Sequence, residues 1–197
     1  MNLISKIKTK VSLKIVYDEN NQINLSNLLK IIDKNSSFLN KIGIKKNDTV
    51  AIVLENGPEF ITTFLSSINC CIAAPLNPNY TSSEFDFYFK DLKPKGLITN
   101  FQSNHPSIKT AYKHKTKIIR LEGFDYKIDK KNSKNHTKKI NLSNLSDTAL
   151  ILHTSGTTSR PKMVALTHQN IISSSQNISK ADTDETQSFS FNLGTTF

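Results

Sequence analysis

Apolar positions along the chain fall into short runs separated by helix-length stretches in which they recur every three or four residues. Residues 11–17 and 22–25 alternate across Asp18-Glu19-Asn20-Asn21, which predicts a β-hairpin. Ser26 then stands where it would cap a helix carrying Leu28, Leu29, Ile32, Leu39 and Ile42 at helical spacing, with Gly43 as its stop. Residues 50–54 form an apolar strand pattern. Pro58 opens a helix that turns Phe60, Ile61, Phe64, Leu65 and Ile68 inward. A strand is expected at 70–74. Thr81-Ser82-Ser83-Glu84 reads as a capping box for a helix burying Phe85, Tyr88, Phe89 and Leu92. Strands at 96–99, 117–121 and 148–153, and a short helix at 107–114, complete the pattern. Apolar strands alternating with helices predict an α/β fold, a parallel doubly wound sheet flanked by helices.

Residues 123–145 show no sustained period and read as a basic surface loop. The net charge of +10 raises nucleic acid as a partner. However, the lysines of 109–139 have few aromatics among them to stack bases, so a solvated surface is the reading preferred here and no nucleic-acid partner is expected. With 37% hydrophobic and 21% charged residues, wholesale disorder is excluded. No apolar run reaches the roughly 18 residues of a membrane span. Residues 1–10 are basic like a transit peptide but hold no arginine, and no continuous apolar core marks a secretory signal. Cys70 and Cys71, adjacent in an apolar strand pattern, point to opposite faces and are expected to be buried free thiols. The histidines show no metal-ligand spacing, so no protein-held metal site is expected. Tyr80 and the aromatic run ending at Tyr88 are expected in the helix core, and His168, at a helix start, on the surface.

The chemistry concentrates in residues 150–168. A strand runs into a hydroxyl-rich turn pivoting on Gly156, followed by Pro161-Lys162, a second short strand, and Thr167 placed to cap a helix. Hydroxyls, backbone N–H groups and one ammonium form a wrap suited to a polyphosphate. The spacing is not that of a Walker loop. The string Thr154-Ser155-Gly156-Thr157-Thr158-Ser159-Arg160-Pro161-Lys162 strongly resembles the phosphate-binding motif of the adenylate-forming superfamily, which includes acyl-CoA synthetases, luciferases and peptide-synthetase adenylation domains. Lys46-Asn47-Asp48-Thr49-Val50-Ala51-Ile52 and Asn56-Gly57-Pro58-Glu59-Phe60 agree with it upstream. His153, Ser159-Arg160-Pro161-Lys162, Ala74-Pro75-Leu76-Asn77-Pro78-Asn79-Tyr80-Thr81 and Glu84-Phe85-Asp86-Phe87-Tyr88 are similar to the oxalate–CoA ligase branch.

This resemblance implies a reaction in two halves. ATP and a carboxylate give an acyl-adenylate and pyrophosphate, and the thiol of CoA then displaces AMP. It assigns Thr154, Ser155, Gly156, Thr157, Thr158, Ser159 and Lys162 to the ATP phosphates, Lys162 to stabilising the departing pyrophosphate, and Mg2+ to the phosphates. Ser159 and Met163 stand where the family more often has glycine. The chain is expected to be an incomplete amino-terminal AMP-binding domain over 1–197 with a divergent tail at 187–197. It would lack the adenine- and acyl-binding segments and the family's catalytic carboxyl-terminal domain, and be inactive alone. A non-catalytic nucleotide-binding module, or one half of a split enzyme, is the alternative. Gly194-Thr195-Thr196-Phe197 is not a peroxisomal address, so a cytoplasmic location is expected.

Overall fold

A computed structural model of the chain describes residues 2–8, 14–16, 22–128, 142–154 and 161–181. Helix α1 (Leu3–Ile7) is capped by Asn2, whose side chain accepts from the Ser5 N–H. Strands β1 (Lys14–Val16) and β2 (Gln22–Asn24) pair antiparallel, as the predicted hairpin requires; its turn lies outside the described residues. Helix α2 (Leu25–Lys41) starts earlier than expected. Asn24, in extended backbone, accepts from the Asn27 N–H at 2.9 Å and so caps the helix before Ser26 is reached. The predicted stop is in place. Gly43 takes φ of +85°, and the N–H groups of Gly43 and Ile44 bond to the carbonyls of Asn40 and Leu39. These bonds satisfy carbonyls that a helix end would otherwise leave orphaned.

There follow β3 (Thr49–Val53), α3 (Pro58–Ile68), β4 (Ile72–Pro75), α4 (Ser82–Leu92), β5 (Gly96–Thr99) and α5 (Pro106–Lys113). The rest is β6 (Lys117–Glu122), β7 (Asp125–Ile128), β8 (Thr148–Thr154), β9 (Lys162–Thr167) and α6 (His168–Ala181). Seven strands form one sheet in the order β7-β6-β5-β3-β4-β8-β9. The inner strands β6-β5-β3-β4-β8 are parallel, and antiparallel β7 and β9 close the two edges. From β3 the chain crosses to β4 on one side, then returns past β3 to β5 and on to β6. Right-handed crossovers in opposite directions place α3 on one face of the sheet and α4 and α5 on the other. Strand β3 serves both layers. Val50 and Ile52 pack with Leu28, Ile32 and Phe64, while Ala51 and Val53 pack with Phe85, Phe89 and Ile108. A strand covered on both faces has no polar side to show, which is why 50–54 reads as a continuous apolar run.

Two expectations change. Cys70 and Cys71 lie in the turn after α3, because β4 begins only at Ile72. Their thiols point back to the carbonyls of Ser66 and Ser67 at 3.8 and 3.2 Å, extending the helical i–4 pattern beyond α3. Both are free and buried, as expected. The Cys70 thiol first, and burial second, hold the Cys71 thiol well above its ordinary pKa. In the predicted basic loop, residues 125–128 instead form β7, turning at Gly123 with φ of +56°. Tyr126 anchors it, buried edge-on against Phe38 with ring centroids 6.2 Å apart. One aromatic alternating with Asp125 and Lys127 suffices for an edge strand with one face in water. Residues 129–141 lie outside the described residues. Among the described residues no helix is long and apolar enough to cross a membrane.

Candidate functional site

The topology opens a crevice. At the carboxyl end of β3 the chain departs toward α3 on one face, and at the carboxyl end of neighbouring β4 toward α4 on the other. Diverging connections of this kind leave a gap above the sheet, the usual ligand position in open α/β sheets. An open cleft of about 250 Å³ lies there, lined by Leu54, Glu55 and Asn56 after β3, residues 75–80 at and beyond the end of β4, and Leu152 and His153 of β8.

One wall of the cleft is aromatic. Tyr80 and Tyr88 stack at 4.8 Å with 17° between their planes, and Tyr88 meets His153 edge-on at 4.8 Å. The His153 Nε2 lies 2.8 Å from Oδ2 of Asp91, and its side chain is only 5% exposed. Tyr80 and Tyr88, expected in the core, pack against it half-buried and also line the cleft. Thr81 and Glu84 do form the capping box, with the Thr81 N–H donating to Glu84 at 2.7 Å. That box sets the rotation of α4. Phe85, Phe89 and Leu92 share the buried face, and Tyr88, one helical step away, reaches the cleft instead. Burial first, and the Tyr88 phenol second, raise the Tyr80 hydroxyl well above its ordinary pKa, so it remains a neutral donor.

The hydroxyl-rich motif begins one residue beyond this wall. Thr154 closes β8 and Lys162 opens β9, and the two are register partners in the antiparallel ladder. The Thr154 hydroxyl donates to the Lys162 carbonyl at 3.4 Å, and both residues are exposed. The structure thus pairs the first and last members of the predicted phosphate set, one residue beyond cleft-lining His153. Ser155, Gly156, Thr157, Thr158 and Ser159 lie outside the described residues. Met163 pairs with His153 and is 42% exposed, so its bulk lies outside the core and the ladder runs past it.

Thr167 caps α6 as expected, accepting from the Asn170 N–H at 3.1 Å. His168 does not lie on the surface. It is fully buried, and its Nδ1 accepts from the Leu3 N–H at 3.4 Å. The docking of α1 against α6 covers it, a contact between chain ends that no local pattern announces. Burial lowers its pKa, with Asp147 opposing. Among the described residues, no three or more His, Cys, Asp or Glu side chains come together to hold a metal ion. Asp91 and the cleft-facing role of Tyr88 escaped sequence reasoning. Their only signal is the three-residue spacing that puts both on the same side of α4.

Comparison with known proteins agrees with this geometry. A model of the family described as AMP-binding enzyme matches residues 7–194. The probable CoA ligase CCL9 of Humulus lupulus is 40% identical over 161 residues, 77% of this chain and 30% of that protein. The oxalate–CoA ligase of Saccharomyces cerevisiae is 40% identical over 163 residues, 68% of this chain and 30% of the relative. Among solved structures, ATP-bound MatB from Rhodopseudomonas palustris superposes with a TM-score of 0.73 at 25% identity, covering 91% of this chain and 38% of MatB. The chain thus spans about 30% of the length of these curated relatives. On the match over residues 7–194, the chain belongs to the family of AMP-binding enzymes.

Proposed function

We propose that these residues form the phosphate-binding part of an ATP-dependent, AMP-forming carboxylic acid–CoA ligase whose acid is oxalate. The observation that carries the reading is the pairing of Thr154 with Lys162, the two ends of the motif, next to cleft-lining His153. The relatedness to an oxalate–CoA ligase supports the choice of acid. In the first half-reaction the carboxylate attacks the α-phosphorus of ATP and pyrophosphate leaves. Negative charge grows on the departing phosphates, and this reading gives the Lys162 ammonium and the Thr154 hydroxyl the role of stabilising it. Ser155, Thr157, Thr158 and Ser159 add hydroxyl donors, and Gly156 lets the backbone approach. In the second half-reaction the CoA thiol displaces AMP, after pyrophosphate has gone. Mg2+ would screen the phosphates, but it finds no ligand set among the described residues, and no step here runs through it.

The 197-residue polypeptide alone is expected to bind pyrophosphate without making acyl-adenylate, because its cleft is open and adenylation needs a water-excluding site. The test joins the chain to the remainder of the yeast oxalate–CoA ligase. Oxalate-dependent pyrophosphate–ATP exchange should appear in the joined protein and not in the chain alone. Lys162→Ala should slow adenylation tenfold or more, about 1.4 kcal/mol, and leave thioester formation from preformed acyl-adenylate nearly unchanged. An equal loss in both half-reactions would refute the role given to Lys162. Exchange with other acids but not with oxalate would refute the substrate.

A further inference from the structure

The strand that carries Thr154 lies along β4 but shares little hydrogen-bonded register with it. Strand β8 shares one registered pair with β4, Leu150 with Ala73, whereas β3 and β4 share four. Beyond Leu150 no further registered pair with β4 follows, whereas the ladder with β9 continues to Thr154 and Lys162. On the other side the only polar tie among the described residues is His153 to Asp91 of α4, at 2.8 Å. The strand's alternation aims it there: Ile151 packs into the α4–α5 layer, so His153, two residues on, faces the same layer. Tyr88 and Asp91, three residues apart on α4, receive the ring together, one at its face or edge and the other at Nε2.

Asp91 is also poorly placed for its own helix. It lies in the last turn of α4, where the backbone carbonyls already concentrate negative charge. A carboxylate there opposes the helix dipole and is useful only through what it holds. An Asp91 oxygen accepting from His153 Nε2–H fixes the tautomer and orientation of the ring and, through it, the end of β8. The next ladder step is Thr154 with Lys162.

We propose that Asp91 is a positioning residue: with His153 it latches β8 to α4 and so holds Thr154 and Lys162 in the geometry that receives pyrophosphate. This rests on the ligase reading for its ligand, but the latch itself is a property of the fold. A displacement of about 1 Å at a reacting group is enough to cost a hundredfold in rate, so a tie on the carrier strand matters beyond its own strength.

The test uses the 197-residue chain and two readouts. Asp91→Ala and His153→Gln should each speed amide hydrogen exchange at least tenfold at residues 152–154 and 162–164, with the core amides of β3 and α3 unchanged. The double variant should go no further than either single one. Pyrophosphate with Mg2+, followed by calorimetry, should bind about tenfold more weakly to Asp91→Ala, and Asp91→Asn should recover most of the loss, because its amide oxygen still accepts the Nε2–H. In 15N spectra the His153 ring should show Nε2 protonated in the wild type, a signature lost in Asp91→Ala. Local exchange unchanged in Asp91→Ala would overturn the latch, as would acceleration spread over the whole chain. A wild-type chain that binds no pyrophosphate, yet loses local protection in Asp91→Ala, would defeat the ligase reading and leave the latch standing.

Discussion

Replacing Phe85 by alanine separates the two faces of α4 most directly. Phe85 is fully buried, its ring edge-on to Tyr80 at 5.8 Å and to His105 at 5.9 Å. A buried aromatic removes about 150–250 Å² from water, and at about 25 cal/mol per Å² this amounts to roughly 4–6 kcal/mol. Alanine keeps part of that, and the vacated space relaxes only partly, so the expected loss is about 3–5 kcal/mol. Tyr88, three residues on, is half-buried at the cleft wall, where neighbours can close over a gap and water can fill it. Tyr88→Ala is therefore expected to cost about 1 kcal/mol. Urea unfolding followed by far-UV circular dichroism suits a chain without tryptophan. The midpoint should fall sharply for Phe85→Ala and little for Tyr88→Ala, with the slope unchanged in both. Equal losses would mean that the capping box does not set the rotation of α4 as argued, and that the aromatic wall is core after all.

Thr81→Ala removes the hydroxyl that caps α4 and should cost about 1 kcal/mol by the same assay. The Thr81 hydroxyl, and then its N–H, hold the Glu84 carboxyl below its ordinary pKa, so this contribution is present above about pH 4.3 and fades as pH falls through the lower folded value. Acid titrations of wild type and Thr81→Ala should therefore converge at low pH. Burial lowers the pKa of His168, so below about pH 6.5 the unfolded chain takes up that proton before the folded one does. Stability should decline as pH falls from there to the folded value, and His168→Gln should flatten this slope without altering stability differences above pH 7. The basic stretch is expected to bind duplex DNA weakly, without sequence preference and with steep salt dependence. Tight, salt-resistant binding in a filter assay would reopen the nucleic-acid reading.

Much of the fold was legible because its punctuation is local. Pro58 at a helix start, Gly43 in the left-handed region and Thr81 with Glu84 each act within four residues, and each stands where the pattern placed it. The parallel order followed from apolar strands alternating with helices. What was missed depends on distant partners. Strand β7 exists because Tyr126 reaches Phe38, and His168 is buried because Leu3 reaches it across 165 positions. The early start of α2 is a different error, a choice between Asn24 and Ser26 as caps whose preferences are nearly equal. At the proposed site, the ordered motif singled out Thr154 and Lys162, which the β8–β9 ladder pairs. The wall beside them did not announce itself, because Asp91 and His153 are 62 positions apart and nothing local links one to the other.

That contrast separates what holds this protein together from what sets its chemistry. The core around Phe85 and Ile52 contributes several kilocalories per side chain, whereas a partly exposed polar contact such as Asp91 with His153 contributes roughly 0–1 kcal/mol to folding. Stability alone would rank Asp91 with the dispensable surface residues. Its geometric weight is larger, because β8 has no registered pair with β4 beyond Leu150, and past that point the one polar tie toward α4 among the described residues is this contact. A strand end held on both sides can present Thr154 and Lys162 to a phosphate without first paying to order them; held on one side, it must be ordered by the ligand itself, and affinity falls by that cost. The residues that decide function here should therefore be found where the sheet's own hydrogen bonds run out.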